Sequence, residues 1–229
     1  MKMSMSVREL CDYVAKQCNC YFPDNYVLGG GTFLPVISIT LERVEFCFSH
    51  IRDLAYGEGR KATFHHLHLD QYTMFLYFLA NTMWKLLPES TEICSKLILL
   101  NRVLGGFWVS YKAALPKVFG WSHPVGSVLG NAPYGEYFWI QQGITVSTAF
   151  NREENDGIDK PMGRFMVMSA GSQLINRQSI GDDVTLGVNV SIHNRAIASK
   201  TLVFRDEKGI IRERKNHLSP ARKLFYIDD

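Results

Sequence analysis

Two periodicities divide the chain. In "HLDQYTMFLYFLANTMWKLL" the apolar residues Leu76, Leu79, Met83 and Leu86 recur at steps of three and four, the spacing of one helix face. Asp70 stands where it can cap that helix, and Pro88 ends it. A second helix is predicted over "TEICSKLILLNRVLGG", starting near Thr91 and closing at Gly105 and Gly106. Residues 7–18 and 42–56 carry weaker, mixed helical character. After Pro116 the spacing changes. Val128, Tyr134, Ile140 and Val146 lie six apart, as do Met162, Met168, Leu174, Ile180, Leu186 and Ile192. Second inward positions such as Ala132, Ser172, Val184 and Val190 follow four residues after an aliphatic of the series. Six is neither the helical nor the strand period. It is the repeat of a parallel β-helix whose three short sides each point an aliphatic inward, with about eighteen residues per turn.

The expected architecture is therefore α+β: a mostly helical domain over 1–115, a β-helix over 116–205, and a C-terminal tail over 206–229. The step from Val146 to Met162 breaks the period, so 147–161 is expected as a loop thrown out between coils, either a tolerated insertion or a flap over a site. The tail segment "DEKGIIRERKNHLSPARK" mixes both charge signs and is expected to be solvated.

Composition narrows the classes. The chain has 229 residues, 46% hydrophobic and 21% charged, as in ordinary globular proteins. A net charge of +3, without a basic patch interleaved with aromatics, gives no ground for a nucleic-acid partner. Cys11, Cys18, Cys20, Cys47 and Cys94 form no paired metal spacing or disulfide framework, which fits a reducing compartment. No signal-like start and no long uninterrupted apolar run is present, so a cytoplasmic location without stable membrane insertion is expected. The "GGGT" beginning at Gly29 lacks the lysine and later glycine of a phosphate loop.

"HPVGSVLGNAPYGEYFWIQQGITV", "HLDQYTMFLYFLANT", "LLNRVLGG" and "SIGDDVTLGVNVSI" carry a resemblance. From about Phe64 to Phe204 the chain resembles serine acetyltransferase-like proteins of the hexapeptide acyltransferase superfamily, and looks most similar to the branch found in polysaccharide gene clusters. The resemblance implies a left-handed β-helix and a homotrimer, with acetyl-coenzyme A lying between neighbouring β-helices. His123, Gly126, Gly130, Gln142 and Thr145 match the family's arrangement around its catalytic histidine. His123 is thereby the expected general base, and Gln142 either packs within a coil or touches substrate. Positions around Ser147, Ala170 and Val188, with Gly187 adjacent, match those that line the pantetheine arm, and a backbone N–H on the coil from Gly143 to Val146 is expected at the cofactor's thioester to stabilise the oxyanion. Lys160, Arg164, Arg195 and Lys200 are candidates for the phosphates. His66 and Asp70 are expected at the acceptor, and Asp70 is a candidate to orient the imidazole. The other reading of Asp70 and its neighbours is a helix cap with solvent histidines.

Two departures bear on the acceptor. Ser122 replaces the aspartate that precedes the histidine in serine-specific enzymes, and "NRVLGGFWVSYK" carries no carboxylate. The expected activity is acetyl transfer to a sugar hydroxyl in surface-polysaccharide synthesis. Serine O-acetylation, amino-sugar N-acetylation and an inactive trimeric scaffold are the alternatives. No G-x-S-x-G elbow is present and the cysteines all precede the β-helix, so direct transfer is expected over an acyl-enzyme. No metal is expected. The "HHLHLDQ" start of a metal-hydrolase motif has Gln71 where another histidine belongs, and a histidine-ligated β-helix anhydrase needs more histidines than His123 and His193 supply.

Overall fold

The structure is a computed structural model that describes residues 1–31, 33–147, 161–176 and 178–228. The chain divides into two compact units, Met1–Lys112 and Ala113–Asp229. Among the described residues no helix is long and apolar enough to cross a membrane.

The first unit holds β1 (Lys2–Met3), α1 (Val7–Tyr21), α2 (Phe33–Ser49), β2 (Gly57–Glu58), β3 (Lys61–Phe64), α3 (Leu69–Leu86), α4 (Thr91–Gly105) and β4 (Trp108–Val109). β3 pairs in parallel with β1 and antiparallel with β2. Ser6 and Glu9 close a reciprocal box at the start of α1, and these bonds hold the Glu9 carboxyl below its usual range. The helix expected over 42–56 instead occupies Phe33–Ser49, because the buried series Phe33, Val36, Ile37, Thr40, Leu41, Val44, Cys47 and Phe48 sets its face. Beyond it Asp53 accepts from Ala55 N at 2.8 Å and turns the chain. α3 is buried from Asp70 to Met83. Its cap is His68, whose Nδ1 accepts from Gln71 N at 3.4 Å, and not Asp70, which falls inside the first turn. Gln71 fixes that entry: its Oε1 accepts from His65 N and its Nε2 donates to Ala55 O, both at 2.6 Å. α4 ends on Gly106 at φ 66°, a left-handed cap that a residue with a Cβ would enter only with strain.

The second unit is a left-handed parallel β-helix. Its strands are β5 (Phe119–Trp121), β6 (Val128–Leu129), β7 (Phe138–Ile140), β8 (Thr145–Val146), β9 (Val167–Met168), β10 (Gln173–Ile175), β11 (Thr185–Leu186), β12 (Ser191–His193), β13 (Thr201–Arg205) and β14 (Ile211–Lys215). One side stacks β12, β10, β8 and β6; another stacks β13, β11, β9, β7 and β5. The third is a line of single bridges through Met162, Ile180 and Ile197. The six-residue series fills the interior, where Ile140, Val146, Met168, Leu174 and Leu186 are fully buried. One member does not. Val128 is 42% exposed and its neighbour Leu129, at 1%, points inward and pairs with Val146. The phase slips by one there because the preceding corner has a different length.

Coils also press together backbone to backbone. A Cβ on Gly135 would lie 2.3 Å from Gly163 O, one on Gly163 2.3 Å from Gly181 O, and one on Gly181 2.4 Å from Ser199 N. These three positions form a column that only glycine fills.

Residues 206–228 do not form the solvated tail suggested by their charge. β14 adds antiparallel to β13, and α5 (Pro220–Leu224) follows. Phe225 is completely buried, with ring contacts to Tyr137 and Trp139 at 5.7 Å each. Asn216 donates to Asp183 O and Thr185 Oγ1, and Ser219 Oγ donates to Asp183 Oδ1 at 2.6 Å. Apolar burial and satisfied polar groups outweigh the mixed charge, which faces water from the other side of the same segment.

Candidate active site

His123 sits on an enlarged corner of the β-helix. Trp121 pairs with Ile140, which pairs with Met168, which pairs with Leu186. Val128 pairs with Thr145, then Gln173, then Ser191. Val128 follows Trp121 by seven positions, whereas the lower coils turn the same corner in five (140 to 145, 168 to 173, 186 to 191). The two additional residues give this corner a second left-handed position. Gly126, at φ 74°, stacks above Gly143; His123, at φ 51°, has no counterpart below. Short bonds hold the excursion, Val125 N to His123 O at 2.7 Å and Ser127 N to Pro124 O at 3.0 Å. The imidazole is therefore carried outward from a rigid stack, and it is exposed.

Below His123 the corner continues as Gln142-Gly143, Ala170-Gly171 and Val188-Asn189, one pair per coil. Each second residue donates its N–H to the residue above: Gly143 to Val125 O, Gly171 to Gln142 O and Asn189 to Ala170 O, all at 2.9 Å. The glycines leave the edge bare: a Cβ on Gly143 would meet nothing nearer than Gly171 Cα at 3.5 Å. The bare track is closed by Asn189, whose Oδ1 stands 2.2 Å from where a Cβ on Gly171 would be. With coils about 4.8 Å apart, the bare part of the edge, from His123 to the coil of Gly171, spans about 10 Å. That suits an extended arm lying along it, with its reactive end at the histidine.

Of the residues read from the sequence, His123, Gln142, Gly143, Ala170, Gly187 and Val188 come together on this corner. Gly187 aligns with Ser122, Gln141 and Ser169 through a regular ladder of backbone bonds. Ser147 does not join them. It follows β8 at the next corner, where its Oγ accepts from Asn176 N at 2.8 Å. Lys160 lies outside the described residues. Arg164 bonds Asp182 through both its backbone N–H and its guanidinium, and Arg195 pairs with Glu213, so each already has an anionic partner. Gln141 is a participant that periodicity did not reveal. Its Oε1 accepts from Ala170 N at 3.0 Å, taking up an N–H on the track.

His66 and Asp70 belong to the helical unit. The His66 ring bonds Ser4 Oγ through Nδ1 at 2.8 Å, stacks on His65 at 5.3 Å and meets the Tyr13 ring edge-on. Burial first, and His65 second, push its pKa down. Asp70 is 7% exposed. Burial and then the charge of Asp70 push the Tyr56 hydroxyl well above its ordinary value.

No protein-family model matches the chain, and no curated protein matches it. Solved structures do. A serine acetyltransferase from Neisseria gonorrhoeae aligns at TM-score 0.57 and 15% identity over 95% of this chain and 93% of its own. One from Vibrio cholerae aligns at 0.55 and 14%, covering 94% and 93%. Isoform 3 from Entamoeba histolytica, solved in complex with cysteine, aligns at 0.53 and 17%, covering 87% and 71%. The fold is that of the serine acetyltransferases. The likeness runs through the helical unit as well as the β-helix.

These matches overturn the sugar hydroxyl and the role in polysaccharide synthesis expected from the sequence. The structures that share the whole architecture are serine acetyltransferases, one of them holding an amino acid. Ser122 and the carboxylate-free stretch before it remove contacts, and the loss of a contact does not specify which other acceptor replaces serine.

Proposed function

We propose that the chain is an acetyl-coenzyme A-dependent serine O-acetyltransferase with His123 as its general base. One observation carries this: the enlarged corner holds His123 outward at the head of a bare glycine edge. The neutral imidazole takes the proton of the serine hydroxyl as that oxygen attacks the thioester carbonyl. The tetrahedral intermediate collapses, the C–S bond breaks, and the imidazolium returns its proton to the departing thiolate. Holding both reactants along one edge contributes the remaining large share of the rate. Acetyl-coenzyme A, a substrate here, lies on the Gly143–Gly171 edge. Ala170 N–H, which donates to Gln141 Oε1, lies on that edge. Val125, Val128 and Val188 are 56%, 42% and 58% exposed along or beside this corner, which supports a neighbouring copy covering the groove in a homotrimer.

Release of coenzyme A thiol, followed with L-serine against D-serine, L-homoserine and no acceptor, tests the reading. Serine-dependent release that falls by about 10²–10⁴-fold in His123→Ala is expected. Release that ignores serine, or survives the substitution intact, overturns it.

A further inference from the structure

The helical unit contains a pair of cations that the proposed reaction does not use. Arg43, midway along α2, reaches α3, donating from Nη1 to Thr82 Oγ1 at 2.5 Å and from Nη2 to Asn81 Oδ1 at 2.9 Å. Its Cζ lies 5.0 Å from the centre of the Phe78 ring. Asn81 is itself fixed, since Nδ2 donates to Tyr111 O at 2.8 Å and so aims Oδ1 at the guanidinium. Phe78, Asn81, Thr82 and Lys85 recur at steps of three and four, which places them on one stripe of α3.

Among the described residues Arg43's hydrogen-bond partners are neutral, and no carboxylate pairs with Arg43 or Lys85. Arg43 bonds Asn81 and Thr82, and Lys85 follows them by four and three positions on α3, so the ammonium stands one helical turn from the groups that hold the guanidinium. Burial lowers the pKa of both groups, opposed at Arg43 by Tyr77 and Cys47, and Arg43's charge lowers that of Lys85 further. A guanidinium has five N–H donors in a rigid fork, and only part of that fork is used here. A half-buried cation held by neutral groups beside a second cation is costly unless an anion completes it.

We infer that Arg43 and Lys85 form a binding site for a small oxyanion with more than one negative charge, of the phosphate class. The guanidinium supplies a flat fork for two oxygens, and the exposed Lys85 ammonium supplies a mobile point charge for a third. The site lies wholly in the helical unit and stands whether or not the acetyltransferase reading does.

The test is thermal unfolding of the full chain in sodium phosphate, sodium sulfate and sodium chloride at matched ionic strength and pH. Near saturation, phosphate raises the midpoint by about 2–4 °C over chloride. Arg43→Gln abolishes that rise and Lys85→Gln at least halves it. A phenyl phosphate arm separates inorganic phosphate from a phosphate monoester: a larger rise assigns the site to monoesters, and an equal one to the free ion. Equal midpoints in phosphate and chloride overturn the inference. So does a phosphate-specific rise kept in full by Lys85→Gln, a change at an exposed position that leaves folding intact even if Arg43→Gln does not.

Discussion

Gly163→Ala tests the coil geometry directly. The added methyl carbon would sit 2.3 Å from both the carbonyl carbon and oxygen of Gly181 and 2.5 Å from Asp182 N. All three are backbone atoms within a hydrogen-bonded stack, so no side chain can rotate away. Relief requires the coils to part by about 1 Å, which stretches the bonds Gly163 N to Ile180 O (2.8 Å) and Ile180 N to Pro161 O (3.1 Å). Overpacking of this kind costs about 1–3 kcal/mol. For a chain of this size that is a fall in unfolding midpoint of about 2–12 °C. Gly31→Ala is the control, because nothing lies within 4 Å of its Cβ. The assay is calorimetry or circular dichroism on both variants beside the wild type. A Gly163→Ala midpoint indistinguishable from that of Gly31→Ala would show that the coils are not in van der Waals contact at this column, and the stacking described above would fail.

Further outcomes follow from single contacts. Leu129→Lys unfolds the β-helix, whereas Val128→Lys, which points outward toward the proposed neighbouring copy, leaves the coil folded and weakens only the association; circular dichroism reads the first and sedimentation the second. Phe225→Ala removes the ring seated against Tyr137 and Trp139 and lowers stability by about 3–5 kcal/mol in urea titration. Burial pushes the Cys18 thiol up to about 12, against an opposing pull from Lys96, and the Cys94 thiol up to about 11, both from 9.0. Because these folded pKa values are raised, the unfolded chain loses those protons first. Their contribution is whole below pH 9 and is lost as pH rises toward 11 and 12. Cys18→Ala flattens that alkaline decline, and an unchanged slope would contradict the burial argument.

Much of the fold can be read from spacing because burial in a β-helix repeats with each coil. The aliphatics from Ile140 to Ile192 announce their positions wherever every coil has the same length. The same logic misplaces Val128, since two residues added at the His123 corner shift the phase by an amount no hydrophobicity pattern reports. At the start of α3, His68 and Asp70 are both polar and two apart, and choosing between them needs Gln71's bonds to His65 and Ala55. The mixed charge of the tail records one side of the segment, while Phe225 and Asn216 work on the other. That His123 and Gly143 fall on neighbouring coils is legible in their spacing, whereas Gly171 and Asn189, which continue that edge, are not singled out by it. The acceptor is not legible, because it depends on side chains converging from separate stretches of chain, for which no spacing rule exists.

β14 has a consequence for solubility. A stack of parallel strands ends in a row of open N–H and C=O groups, to which another molecule's first coil could add without limit. Here the last strand of one side runs the opposite way and presents Arg212, Glu213, Arg214 and Lys215 to water. A rung of reversed direction and crowded charge is a poor template for continuation. Arg212→Thr with Arg214→Thr, which leaves Phe225 and Asn216 in place, is thus expected to let copies join edge to edge, an association that light scattering would read.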